Sequence, residues 1–398
     1  MQKENTSQNH KTFTSMSVGI LLLSLLTMAG IVSPALPAIA KDYPNVPESI
    51  IEQVSAIPSF AMAIFIIISS WIVRKVGTKK TVELGLWLVI ISTVLSLLAS
   101  NIWILLLSRF LLGAGIGTYN SLAVSLITIS YSGKEQSNLL GWENAFQGIG
   151  ALVGSLLVSL LLLLNWRATF AIYLVSILIL LDYHRFVPDI PLSGFKENQS
   201  NNVVKKTDFW VVTGSAIATF ILMTSYMISI IKMPSYLIEN KVGTAVASGL
   251  LIGLISLAII IAGVIYNKVF EKFHYNTLSI SVALMAVAYL LLALIPNMIV
   301  ASIACFVIGI SFGFFVPYCF GTAANATSTA NSDNVTKIMM ISNNLANFLA
   351  PFAASMLVLG GTSTINIFKH GGYVLLLLFI IVVLINFLPA SHKQTVNN

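Results

Sequence analysis

Charge is what this sequence lacks most. Only 9% of its 398 residues are Asp, Glu, Lys or Arg, while 57% are hydrophobic. Soluble domains carry roughly 25% charged residues, and a soluble chain of this length needs far more polar side chains to cover its surface. A water-soluble globule is excluded. Cysteine is nearly absent: Cys305 and Cys319 share one apolar block and read as buried thiols, with no redox or metal signal. The five histidines (His10, His184, His274, His370 and His392) fall in expected loops or tails, so no His/Cys/Asp cluster has metal-ligand spacing. No G-x-x-x-x-G-K-S/T loop is present, which argues against ATP hydrolysis. No cofactor is implied, and nothing marks an enzyme.

What is present is apolar sequence in long blocks. Many run 18 residues or more without a charge, enough to span the hydrocarbon core as helix. The blocks do not alternate as barrel strands would, and open sheets cannot exist in lipid. The expectation is an all-α membrane protein with spans near 14–38, 51–73, 81–99, 102–129, 136–163, 166–183, 209–231, 244–266, 277–295, 298–324, 335–359 and 371–389. A polar stretch at 184–208, including Lys196, Glu197, Asn198 and Gln199, divides them six and six. The domain plan is thus a tail at 1–13, a bundle at 14–183, the linker, a bundle at 209–389 and a tail at 390–398. The first block is longer than a signal peptide's apolar core and leads into a second span, so it reads as a retained helix.

The formal charge of +7 could suggest nucleic acid, but its distribution points to the membrane instead. With the N-terminus inside, fifteen basic residues are cytoplasmic, among them Arg74, Lys75, Lys79, Lys80, Lys134, Arg185, Lys268, Lys272 and Lys337. Five lie outside (Lys41, Arg167, Lys232, Lys241 and Lys369), and Arg109 is inside a span. This bias fits the positive-inside rule and requires an even number of crossings. Both termini are expected in the cytoplasm, with the chain in the cell membrane.

The halves echo each other. A small residue at a helix end and then a basic turn follow both the second helix (Ser70, Arg74, Lys75, Gly77, Lys79, Lys80) and the eighth (Gly263, Lys268, Lys272). The fourth helix carries Gly113, Gly115 and Gly117; the tenth carries Gly309 and Gly313. Related six-helix bundles are a common plan for transporters that rock around a midplane site.

These features resemble the major facilitator superfamily over essentially the whole chain. Its loop between helices two and three usually reads G-x-x-x-D-R-x-G-R-K. Gly77 and Lys79 match, Lys75 stands for the arginine and Ser70 for the first glycine, while Arg74 replaces the acid. The fourth-helix pattern R-x-x-x-G-x-G fits Arg109, Gly113 and Gly115, and Asn165-Trp166-Arg167-Ala168-Thr169-Phe170 is similar to the W-R-x-x-F start of helix six. The resemblance implies two six-helix bundles with pseudo-twofold symmetry, the major facilitator fold, and a monomer able to work alone. The G-P-x-x-G-G run of many exporters is missing; Gly154-Ser155-Leu156-Leu157-Val158-Ser159 stands there instead.

Few residues are placed to carry chemistry. Glu143 is the acid deepest within a span, with Gln147 four residues on and on the same face. It is the candidate for proton coupling, unless it reaches the interface and pairs with Lys134. Arg109 reads either as a clamp on backbone carbonyls or as a partner of an acid or anionic substrate. The glycines of helix five, Gly141, Gly148, Gly150 and Gly154, read as close-packing positions. Lys232, beside Pro234, closes helix seven as an interfacial anchor or an anion-attracting group. Helices one, four, seven and ten line the cavity in the resembled family. That implies solute contacts from Tyr119, Asn120, Met223, Tyr226, Phe314, Phe315 and Tyr318, with Gln147 on helix five and Asn343 and Asn347 on helix eleven. Pro34 and Pro37 disrupt helix one.

The expectation is a secondary transporter working by alternating access, driven by protons, with lipid and a small solute as its partners. Export of an amphipathic or drug-like compound is the first expectation because the candidate contacts are mainly aromatic. Uptake of a small metabolite or organic anion is the alternative. A non-transporting receptor or membrane enzyme would need a signalling domain or a catalytic polar cluster, and neither is visible.

Overall fold

The computed structural model describes residues 15–27, 29–131, 133–189, 208–327, 332–358 and 363–387. The expected tails at 1–13 and 390–398 and most of the linker lie outside these residues. Twelve helices follow in order: α1 (Ser15–Asp42), α2 (Glu48–Val76), α3 (Thr78–Leu98), α4 (Ile102–Ser130), α5 (Gly133–Leu162) and α6 (Arg167–Phe186). Then come α7 (Phe209–Glu239), α8 (Ala245–Phe273), α9 (Asn276–Leu294), α10 (Met298–Asn325), α11 (Ser332–Met356) and α12 (Thr364–Phe387). Among the described residues, 11 helices are long and apolar enough to cross a membrane. The remaining one is α11, whose 25 residues extend about 37 Å at 1.5 Å per residue. It is long enough to cross but carries Lys337, Ser342, Asn343, Asn344 and Asn347.

The chain forms two compact units. The first holds α1 up to Val32, Asp42–Val46, and Gln53 onward through α6. The second holds Ser33–Lys41, Pro47–Glu52 and α7 to α12. The first turn of α2 therefore groups with the second unit. In the first unit α3 packs mainly on α4, and α5 on the early part of α1. In the second, α10 packs on α8 and α9, α12 on α9, and α11 on α7.

Short-range chemistry sets the helix starts. Asn101 and Asn297 cap α4 and α10, accepting from the backbone N–H of Trp103 (2.9 Å) and Ile299 (2.8 Å). The same 196-residue offset relates Gly113 to Gly309 and Gly117 to Gly313. A side chain at Gly113 would collide with the backbone of Pro58, and one at Gly117 would lie 2.8 Å from Met62 Cα, both on α2. One at Gly309 would meet Ile255 O, and one at Gly313 would meet Ala262 Cβ, both on α8. Each unit thus uses the same capped, glycine-faced helix against the second helix of its half. Large apolar side chains such as Trp103, Leu164, Trp210 and Val264 are exposed, as lipid contact requires.

Several helix ends differ from the sequence expectation. The α2 helix starts at Glu48 rather than 51, and α7 continues to Glu239 rather than 231, placing Lys232 and Pro234 inside it. Charged residues end an apolar run without ending the helix when they find partners. His184 lies in the last turn of α6 and His370 inside α12, not in loops. Cys305 and Cys319 are buried free thiols.

Candidate functional site

In the first unit the site forms where α5 meets a broken first helix. The α1 helix gives way to a 3₁₀ turn at Ser24–Leu26, loses helical pattern at Thr27, and runs as 3₁₀ again over Ala29–Ala35, around Pro34. Such stretches weaken the regular i to i−4 ladder. Gly150 brings α5 onto this break, because any side chain there would strike Leu25 O, and one at Gly154 would lie 2.7 Å from Ile31. Gly141, by contrast, faces open space, so its expected packing role does not hold.

Glu143 is 3% exposed at this contact. Its Oε1 accepts hydrogen bonds from Ser24 Oγ (3.1 Å) and Gln147 Nε2 (2.5 Å). Lys134's side chain lies outside the described residues. Ser24 is a partner the sequence did not suggest, because its position at a helix break is invisible in an apolar run.

Arg109 is fully buried and faces different groups. Its Nε donates to Val54 O of α2 (3.0 Å), and Nη2 lies 3.5 Å from Tyr173 Oη. The guanidinium sits 5.3 Å from the Phe170 ring and 5.2 Å from the Tyr173 ring. These contacts tie α4 to α2 and α6. Tyr119 is buried beside Gly85 of α3, whose added side chain would lie 3.0 Å from its ring. Asn120 is half-buried.

The turn between α2 and α3 is held from the end of α6. Gly77 has φ +87°, a conformation that favours glycine. Asp189 accepts from Lys79 N (3.3 Å), Lys79 Nζ donates to His184 O (2.6 Å), and His184 pairs with Glu83 at 2.9 Å. Lys75 lies 3.7 Å from the Trp71 ring, while Arg74 and Ser70 are exposed. An acid does reach this turn, but it comes from Asp189 rather than from position 74.

In the second unit the expected solute-contact residues separate. Met223, Tyr226 and Phe315 belong to one packed core with Leu222, Ile255 and Tyr289. Tyr226 lies 4.3 Å from Phe312, ring to ring. Phe314 is buried, and Tyr318 joins a smaller cluster with Val212 and Met339. Asn343 is half-buried and Asn347 is 9% exposed.

The strongest charged cluster was not expected as a unit. Lys232 Nζ lies 2.6 Å from Glu52 Oε1 and 2.9 Å from Glu48 Oε1. The Lys232 and Glu52 side chains are 7% and 3% exposed, and Glu48 is 57% exposed. All three belong to the second compact unit. The signal was available: Glu48 and Glu52 are four apart, so they share one helix face. The anchor reading of Lys232 gives way to a buried ion pair.

The family model described as Major Facilitator Superfamily matches residues 18–351 and again 215–397. The galactose-proton symporter of Escherichia coli (strain K12) is 26% identical over 163 residues, 41% of this chain. The chain spans about a third of that relative's length, 35%. Among solved structures, a POT family transporter in complex with 5-aminolevulinic acid has a TM-score of 0.76 at 14% identity, covering 93% of this chain and 95% of that one. The nucleoside transporter NupG gives 0.75 at 14% identity, covering 92% and 99%. A D-xylose-proton symporter gives 0.72 at 15% identity, covering 93% and 97%. These structural likenesses carry the fold.

Proposed function

Because the chain belongs to the Major Facilitator Superfamily, it is a membrane transporter of small solutes, and we propose that it is a proton-coupled symporter for a small polyhydroxylated solute of the sugar class. The observation that carries this reading is the 163-residue likeness to a galactose-proton symporter. It replaces export of amphipathic compounds, the first expectation. Three of the groups behind that expectation, Met223, Tyr226 and Phe315, are core side chains, and helix five lacks the exporter run.

Glu143 supplies a group suited to proton exchange. Among the described residues its buried carboxylate is met by a hydroxyl and an amide, from Ser24 and Gln147. A charged carboxylate needs both donors in this setting, whereas a neutral acid does not. Ser24 is one of them and stands at the break in α1, so loading or losing the proton acts on a segment without a regular hydrogen-bond ladder. Broken helices hold substrate and coupling-ion sites in many secondary transporters. One elementary charge crossing about 100 mV yields about 2.3 kcal/mol, equivalent to a concentration ratio of roughly 50-fold.

The test is uptake into proteoliposomes. An inward proton gradient is expected to drive accumulation of D-galactose, D-glucose or D-xylose. Glu143→Gln should abolish gradient-driven accumulation while keeping counterflow exchange. Undiminished gradient-driven accumulation in that variant removes the coupling role. Absence of flux for all three sugars in the unaltered protein removes the sugar class.

A further inference from the structure

We propose that Asn347 is a solute-binding residue whose side-chain amide hydrogen-bonds a hydroxyl of the transported molecule; this rests on the sugar-class reading. Two independent observations lead to it. The first concerns α11. Among the described helices of at least 18 residues it is the one that falls short of the apolarity of a membrane span. Polar residues at membrane depth must face partners or a water-accessible cavity.

The second concerns which of those polar residues are satisfied. Ser342 Oγ donates to Ala216 O of α7 (2.8 Å), and Asn344 Nδ2 donates to Met340 O of its own helix (2.9 Å). Asn347 is 9% exposed, and its Oδ1 has no hydrogen-bond partner among the described residues. Other buried oxygens in that condition are explained differently. Most are hydroxyls, which can turn. Glu52 is ion-paired through its second oxygen, Asp182 is partly exposed, and Gln53, the other amide whose oxygen is in that condition, has an interaction partner elsewhere among the described residues. An amide carbonyl has no such freedom, and leaving it unpaired costs about 1–3 kcal/mol. Asn343, one turn earlier and half-buried, lies on the same face.

A sugar hydroxyl suits this position because it both donates and accepts. It can bond the amide whichever way the group is turned. A solute lacking the matching hydroxyl would leave the amide unpaired again, which makes the residue a source of selectivity.

The experiment compares the unaltered protein with Asn347→Leu, which removes the polar group at similar volume. Counterflow of D-galactose and its 2-, 3-, 4- and 6-deoxy derivatives is measured in proteoliposomes, alongside thermal unfolding. The expected result is an unchanged or higher Tm in the variant, with KM for D-galactose raised about tenfold. One deoxy derivative should be about tenfold poorer than D-galactose for the unaltered protein and equal to it for the variant. A lower Tm, a variant that fails to fold, or an unchanged deoxy pattern marks the amide as structural and overturns the assignment. If the unaltered protein carries no sugar, the functional reading fails and this inference fails with it. If it does carry sugar but the variant's KM is unchanged, the inference alone fails.

Discussion

Lys232 and Glu52 are each more than nine-tenths buried and only 2.6 Å apart. Taking either charge alone into a low-dielectric setting is expensive, and the pair holds because each neutralises the other. Glu48, half in solvent, contributes less because water screens it. Removing one partner should therefore do more damage than removing both. Lys232→Met is expected to destabilise the purified protein by roughly 3–5 kcal/mol, and Lys232→Met with Glu52→Gln by much less. Thermal unfolding of these two variants and of Glu52→Gln alone decides this. If the double variant loses the sum of the single losses, the two residues are not an energetic pair.

Helix positions were largely legible in the sequence, and helix ends were not, for one physical reason. An apolar run reports which residues can sit in lipid, whereas a helix continues as far as its backbone bonds and side-chain partners permit. Glu48, Glu52 and Lys232 satisfy one another, so α2 and α7 extend through charges where the apolar pattern stops. The Glu143 and Gln147 contact was legible because it is local, at i and i+4. Ser24 and Asp189 were not, since each reaches its partner across more than a hundred residues. The glycines make a direct test of close packing between elements. Gly113 abuts the backbone of Pro58, while Gly141 has nothing within 4 Å. Gly113→Ala should push α4 off α2 and cost about 1–3 kcal/mol. Gly141→Ala should be neutral or stabilising by up to about 1 kcal/mol, from helix propensity alone. Equal effects of the two substitutions on thermal unfolding would contradict the packing account.

At the scale of the whole chain, the polar character of α11 decides topology. Eleven crossings would leave the termini on opposite sides of the membrane; a crossing by α11 as well would bring them to the same side. The basic residues number fifteen to five either way, since Lys369 and Lys393 only exchange sides; the crossing is favoured instead by the length of α11, whose 25 residues extend about 37 Å. The amides of α11 are compatible with a crossing if they face other helices or the solute path, as proposed for Asn347. Both native thiols are buried, so cysteines introduced at Ser7→Cys and Thr395→Cys can report on each terminus with little background. A membrane-impermeant maleimide should label both in inverted vesicles and neither in sealed right-side-out cells. Labelling of the two positions from opposite sides would mean that α11 does not cross, and the solute-binding role given to its amides would then lose its setting.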